Sequence, residues 1–349
     1  MESRNGKLIL TPIQKVFLNT EERIIDLIAN KRNLGIAYYK ERQLLENIQD
    51  ILNDMYNKTY SLTPNYIESV FRKSKLDKIM RMANLSMEEK QIIERITDNF
   101  MNNILGCGNN IYNYLKNIIV DTKKEVNKVE LNINRQDDLF KQLYRGEIQK
   151  RGLIGFTDKS GKNWTMQNYS DMLLRTTTRM AHNYGILYTF EHIDLYKISE
   201  HKTTCKLCAP YEGRVYSRSG THPIYPPLAS AFGKINKNGP NTLSNSYLNI
   251  HPNCLHTLIP FKEEGKSKEQ IEAIRNKSNF ETNPPNYNKQ SESEINRYRN
   301  KENGRAKLNE AFKEYQKLRL TNYSKTPKTF QTFLNHKLKN DNIYKSYYK

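Results

Sequence analysis

Leu153-Ile154-Gly155-Phe156-Thr157, Asp158-Lys159-Ser160-Gly161-Lys162 and Asn163-Trp164-Thr165-Met166 follow one another without a gap, and they decide the class of fold. Two apolar runs flank a polar, glycine-containing segment, which is the pattern of strand, turn and strand. Nothing before residue 150 reads this way. Just after it a helix is expected from about Ser170 to Leu187, with Leu173, Thr177, Met180, Tyr184 and Leu187 along one side. Arg175 and Arg179 are four apart and share a face of that helix. From Ile193 to Phe261 the chain is rich in Gly, Pro, Ser and aromatic residues, which suits short strands joined by long loops.

Upstream, the chain reads as helical. Thr11-Pro12 and Thr63-Pro64 each predict an N-cap followed by proline in the first turn, where its missing N–H costs nothing. Ser86 with Glu89 predicts a capping box. Apolar residues then recur at helical spacing: Leu44, Leu45, Ile48, Ile51, Leu52 and Met55; Ile67, Val70 and Phe71; Ile92, Ile93, Ile96 and Phe100; Ile111, Leu115, Ile118 and Ile119. Such stripes mark faces that need a neighbour and carry no chemistry.

Downstream, residues 262 to 349 hold 20 Lys+Arg against 11 Asp+Glu. Asn283-Pro284-Pro285-Asn286 divides this stretch, and Leu308, Ala311, Phe312, Tyr315 and Leu318 predict an amphipathic helix beyond the break. Thr326-Pro327 is expected to start a shorter one carrying Phe330, Phe333 and Leu334. The end, Ile343 to Lys349, interleaves tyrosines with lysines; that pattern suits a nucleic acid, a groove on a partner, or plain solvent. The fold class is therefore α+β: a helical domain at 1–145, a small mixed α/β module at 146–262, and a basic helical tail at 263–349.

The central module holds three of the four cysteines. Cys205-Lys206-Leu207-Cys208 is a C-x-x-C knuckle, and 45 residues separate it from Cys254 in His251-Pro252-Asn253-Cys254-Leu255-His256. A C-x-x-C turn aims two sulfurs at one centre, and a second Cys/His pair can complete the tetrahedral, borderline-soft shell that Zn2+ takes. The expected ligands are Cys205, Cys208, Cys254 and one of His251 or His256, with His201 an outside candidate. Four protein ligands would close the shell and make the ion structural. The competing readings are a metal-free packed knot or a redox pair, although a thioredoxin-like pair needs a βαβ context that residue 205 lacks. Cys107 stands apart and is expected simply to be packed.

Several classes of function lose support. No G-x-x-x-x-G-K-[ST] loop, G-x-G-x-x-G turn or G-x-S-x-G elbow is present. Four cysteines in 349 residues do not make a disulfide framework. No apolar run is long enough to span a bilayer, and the first residues do not form a secretory signal, so no membrane is expected and synthesis is read as cytoplasmic. The balance of 56 Lys+Arg against 37 Asp+Glu gives +19, which favours a polyanionic partner such as nucleic acid. An HNH-like nuclease would combine a knuckle with histidines, but no Asp/His pair of convincing spacing supplies its Mg2+ site and general base.

From about Tyr144 to Phe261 the sequence resembles the phage minor capsid protein 2 family, itself related to the Mu F-like head morphogenesis proteins. The resemblance rests on Asp158–Trp164, on Tyr169-Ser170-Asp171-Met172-Leu173-Leu174-Arg175-Thr176-Thr177, and on Ser199-Glu200-His201. It continues through Cys205–Ser217, Tyr225-Pro226-Pro227-Leu228 and His251–His256, all in order. Two departures are Leu255 and Lys162, where the family favours arginine. The resemblance implies a structural minor head protein of a tailed bacteriophage, not an enzyme. Such a protein is made in the bacterial host cytoplasm, associates with the portal or major capsid protein, and ends in the virion, in contact with packaged double-stranded DNA. It also implies that Cys205, Cys208, His251, Cys254 and His256 form a structural cluster, and that Trp164, Tyr169, Arg175, Tyr211, Gly213 and Tyr216 form a packing or interaction surface. The alternative function is a nucleic-acid-binding protein or metal-dependent nuclease.

Overall fold

The computed structural model describes residues 2–4, 7–30, 34–35, 37–75, 78–201, 203–287 and 290–348. It is mostly helical, with few strands. The chain opens with a short antiparallel hairpin, β1 (Glu2–Arg4) and β2 (Lys7–Ile9), and continues through α1 (Pro12–Ala29), α2 (Tyr38–Lys73), α3 (Lys78–Met82), α4 (Met87–Asn127) and α5 (Ile133–Arg151). Next come the hairpin β3 (Ile154–Thr157) and β4 (Asn163–Thr165), then α6 (Met166–Thr189). Strands β5 (Leu195–Ile198), β6 (Val215–Ser217) and β7 (Leu258–Pro260) form one antiparallel sheet with β5 in the middle. Helices α7 (Lys268–Ser278), α8 (Glu292–Thr321), α9 (Phe330–Lys339) and α10 (Asn342–Ser346) complete the chain. Among the described residues no helix is long and apolar enough to cross a membrane.

The local signals explain most boundaries. Thr11 caps α1 in a full capping box with Gln14, and Pro12 occupies the first turn. Ser86 and Glu89 exchange hydrogen bonds at 3.0 and 3.1 Å at the start of α4. In the β3–β4 hairpin, Asp158 accepts from the Ser160 and Lys162 N–H groups and from the Trp164 indole, so one carboxylate shapes the whole turn. The Ser160 hydroxyl, which also donates to it, leads these donors in holding Asp158 down at about 2.

Three expectations are corrected. Thr63-Pro64 does not begin a helix, because α2 runs straight through Pro64. Thr63 is buried, and its hydroxyl turns back to the Thr59 carbonyl at 2.7 Å instead of forward to cap a new helix. Helix α6 starts at Met166 rather than Ser170, since the Thr165 hydroxyl accepts from the Asn168 N–H at 3.4 Å and serves as the cap. Helix α9 starts at Phe330, capped by Thr329, while Thr326 is buried and donates back to the Asn322 carbonyl.

The chain divides into two compact units. Unit 1 comprises residues 1–63, 101–171 and 303–349; unit 2 comprises 64–100 and 172–302. In unit 1, Leu18 of α1 packs with Leu308, Phe312, Tyr315 and Leu318 of α8 and with Phe330, Phe333 and Leu334 of α9. Tyr347 joins this cluster, so the aromatic end of the chain lies on the chain's own core. Each fully buried phenylalanine is worth roughly 1.5–3 kcal/mol relative to exposure. Unit 2 buries Ile67 and Phe71 of α2, Ile92, Ile93 and Ile96 of α4, and Met180, Tyr184 and Leu187 of α6. Tyr196, Ile198, Tyr216 and Leu258 bring the three-stranded sheet into the same core.

Candidate metal centre

Topology explains how two short segments far apart in sequence meet. Strand β5 pairs with β6 on one side and β7 on the other, with Ile198 opposite Leu258. The loop that leaves β5 carries Cys205 and Cys208; the loop that enters β7 carries His251, Cys254 and His256. The pairing extends past the strands, as the Ser199 N–H donates to the Thr257 carbonyl at 2.9 Å and the Thr257 N–H to the Ser199 hydroxyl at 3.0 Å. The two loops are therefore anchored side by side.

Each loop then makes a tight turn. The Cys208 and Ala209 N–H groups both donate to the Cys205 carbonyl at 3.1 Å, and the Cys254 N–H donates to the His251 carbonyl at 3.1 Å. Asn253 takes a positive φ of 66°, and its N–H is held by the Thr176 hydroxyl of α6 at 3.1 Å. Asparagine tolerates that conformation better than most side chains.

All five residues singled out by spacing come together. Their donor atoms form two triads, Cys205/Cys208/His251 and Cys208/Cys254/His256, and within each the atoms lie inside 4.8 Å of one another. Cys208 belongs to both. Its sulfur stands 3.7 Å from Cys254 Sγ and 3.0 Å from His251 Nε2, while Cys205 Sγ is 3.1 Å from the same nitrogen. His256 Nδ1 is 3.4 Å from Cys254 Sγ. His201 belongs to neither triad: its ring lies edge-on to His256 at 4.5 Å, and its Nε2 is 3.1 Å from the Ser199 hydroxyl.

The protonation pattern follows from this crowding. The Cys208 contact draws Cys205 down to about 4 and Cys254 to about 3, with His251 and His256 helping and burial opposing. Cys208, flanked by both other sulfurs, is pushed up for the same reason. Burial works against charge on His256, yet Cys254 and Glu212 win and raise it to about 9. Arg179 of α6 adds a positive charge that Cys254 feels, although burial lowers the arginine's own value. Soft sulfurs and imidazole nitrogens in this arrangement could hold a metal ion.

Sequence reasoning missed the residues that support the ring donors. Glu212 accepts from His256 Nε2 at 2.6 Å, from the His201 N–H at 2.8 Å, and from the Thr204 hydroxyl. A single glutamate in a polar loop has no spacing that would have marked it. Of the other residues of the resemblance, Tyr216 is fully buried, Tyr211 bonds Tyr287 at 2.8 Å, and Tyr169 stacks on Phe156 at 4.7 Å. Cys107 is buried and free, and a Cβ on Gly155 would stand 2.5 Å from its sulfur.

No curated protein and no solved structure matches the chain. The model of one family does match, that described as phage minor capsid protein 2, and it covers residues 21–330. That span takes in all of unit 2, most of unit 1 and both loops of the Cys/His cluster. The chain thus belongs to the phage minor capsid protein 2 family.

Proposed function

We propose that this protein is a structural, non-enzymatic component of the phage head, made in the host cytoplasm, that joins the portal or the major capsid protein during assembly and contacts packaged double-stranded DNA. The family match over residues 21–330 carries this reading. The charge supports the DNA contact: residues 303–349 hold 11 Lys+Arg against 3 Asp+Glu, and they fold into α8, α9 and α10 rather than trailing free. Within the same reading, residues 146–262 act as the module carrying the knot, and a structural zinc ion is held by Cys205, Cys208, Cys254 and one of His251 or His256. Zinc would supply folding energy to the two loops that carry these ligands.

Mass spectrometry of purified, DNA-filled particles tests the assignment. The chain is expected at a copy number comparable with the portal protein. Its absence from both empty and filled heads would overturn the virion assignment. Purified protein should bind duplex DNA without sequence preference and with a steep loss of affinity as salt rises. Cleavage of that DNA on adding Mg2+ or Mn2+ would restore the nuclease reading instead.

A further inference from the structure

The two triads are not equivalent. Around a tetrahedral zinc, sulfur ligands sit about 3.8 Å apart, and a sulfur and an imidazole nitrogen about 3.6 Å apart, given Zn–S near 2.3 Å and Zn–N near 2.0–2.1 Å. Cys208 and Cys254 are 3.7 Å apart, and Cys254 and His256 Nδ1 3.4 Å apart, so these two pairs already stand near ligand spacing, and Cys205, from the other triad, closes on them to complete the shell. His251 Nε2, at 3.0 and 3.1 Å from its two sulfurs, is too close to both to share an ion with them without moving. Its distances are those of a group hydrogen-bonded between sulfurs.

The far nitrogens differ as well. His251 Nδ1 meets the uncharged carbonyl of the adjacent Pro252. His256 Nε2 meets the carboxylate of Glu212, which a proton on that nitrogen satisfies, leaving Nδ1 bare toward Cys254. Glu212 is itself fixed by the His201 N–H and the Thr204 hydroxyl, both in the segment leading to Cys205. One carboxylate therefore ties the approach to the C-x-x-C turn to the ring of the second loop.

We propose that Glu212 is the positioning residue of the metal centre: it orients His256 so that Nδ1 is the fourth ligand beside Cys205, Cys208 and Cys254, and His251 stays outside the shell as a hydrogen-bonding partner of the sulfurs. This rests on the zinc reading above. The resulting unit is a carboxylate, a histidine and a metal in line, a relay that fixes ring orientation and raises ligand basicity.

The test is zinc affinity of the full-length protein by chelator competition, with the absorption spectrum of the cobalt-substituted form as a second readout. Glu212→Ala is expected to weaken zinc binding by about 10–100-fold at unchanged stoichiometry, the usual loss when a ligand's outer partner is removed. Glu212→Gln, whose amide oxygen can still accept from Nε2, should lie between it and the parent and carries the test should the alanine variant fail to fold. His256→Ala should change the cobalt spectrum to that of a three-ligand protein shell, while His251→Ala should keep both the spectrum and the affinity within a few-fold. If the parent protein binds no zinc, the zinc reading itself fails. If it binds zinc but His251→Ala releases the metal while Glu212→Ala and His256→Ala hold it as tightly as the parent, the assignment of Glu212 and His256 is wrong and the zinc reading stands.

Discussion

Arg319, almost wholly buried near the end of α8, pairs its guanidinium with Asp26 of α1, 293 residues earlier in the chain. The same guanidinium donates to the carbonyls of Tyr323 and Thr326 at 2.8 and 2.9 Å. It thus does three things at once within unit 1: it binds α1, closes the turn after α8, and lies over the ring of Tyr323.

The two partners should differ in consequence. Arg319→Ala is expected to destabilise the protein by about 2–4 kcal/mol, because it strands two inward carbonyls as well as the aspartate. Asp26 is far more exposed, and Asp26→Asn leaves the arginine its carbonyl partners, so a loss of about 1 kcal/mol or less is expected. Urea denaturation of both variants checks this, and equal losses would show that the ion pair, not the carbonyl contacts, dominates.

Glu21 should make stability depend on pH. It is completely buried and neither carboxyl oxygen has a well-aligned partner. Burial raises it to about 8 against an ordinary 4.5; the Gln167 N–H opposes this, and Asp171 and Glu22 add to it. The folded state therefore holds a proton that the unfolded chain gives up, so the contribution of Glu21 to stability is greatest below about 4.5, falls as pH rises to about 8, and is flat beyond. Glu21→Gln should flatten that slope and gain stability at pH 8. Denaturation midpoints between pH 5 and 9 measure it, and a variant as pH-sensitive as the parent would refute it.

If zinc holds the knot, stripping it should unfold the loops around β5 and β7. Cys254→Ala is expected to lower stability by several kcal/mol, on the order of a lost structural metal site, whereas Cys107→Ala should leave zinc content unchanged. Melting curves with and without chelator, alongside zinc content by atomic absorption, distinguish the two. A parent that melts identically in chelator would remove the metal from the account.

Two glycines should resist substitution for different reasons. Gly185→Ala would place a Cβ 1.9 Å from the Ser74 hydroxyl and 2.7 Å from the Phe71 carbonyl; the backbone oxygen cannot yield, so a loss of about 3 kcal/mol or more is expected. Gly213 has φ +68°, and its Cβ would meet the ends of Glu200 and Lys277, which can swing aside, leaving mainly the backbone strain of about 1–3 kcal/mol. Thermal melting of the two alanine variants should rank Gly185→Ala below Gly213→Ala.

What could be read from the sequence was what has a period or a fixed spacing. The stripes through Ile48, Ile96, Ile111 and Phe312 are buried helix faces, and the 153–166 stretch is a hairpin. The cysteines and histidines were legible because ligand-bearing residues recur at short intervals. Pro64 was misread because a local rule cannot know that Thr59 and Thr63 are both buried inside one helix. Glu212 was invisible because its importance is its position opposite His256, which arises only when β5 pairs with β6 on one side and β7 on the other. The fate of the tyrosine-lysine end was equally undetermined until Tyr347 was seen against Phe333.

The dependence of unit 1 on residues 303–349 has a consequence for the order of events on the ribosome. Unit 2 has its whole sequence once residue 302 has emerged, whereas α1, made among the first, must wait for α8 and α9 before Leu18 finds its partners. Folding in step with synthesis therefore lets the later-starting unit complete first, while the side of α1 that carries Leu18 waits for most of translation. A stop codon ahead of α8 would not simply trim this protein but uncover Leu18 near its other end, an apolar side chain for chaperones and proteases to find.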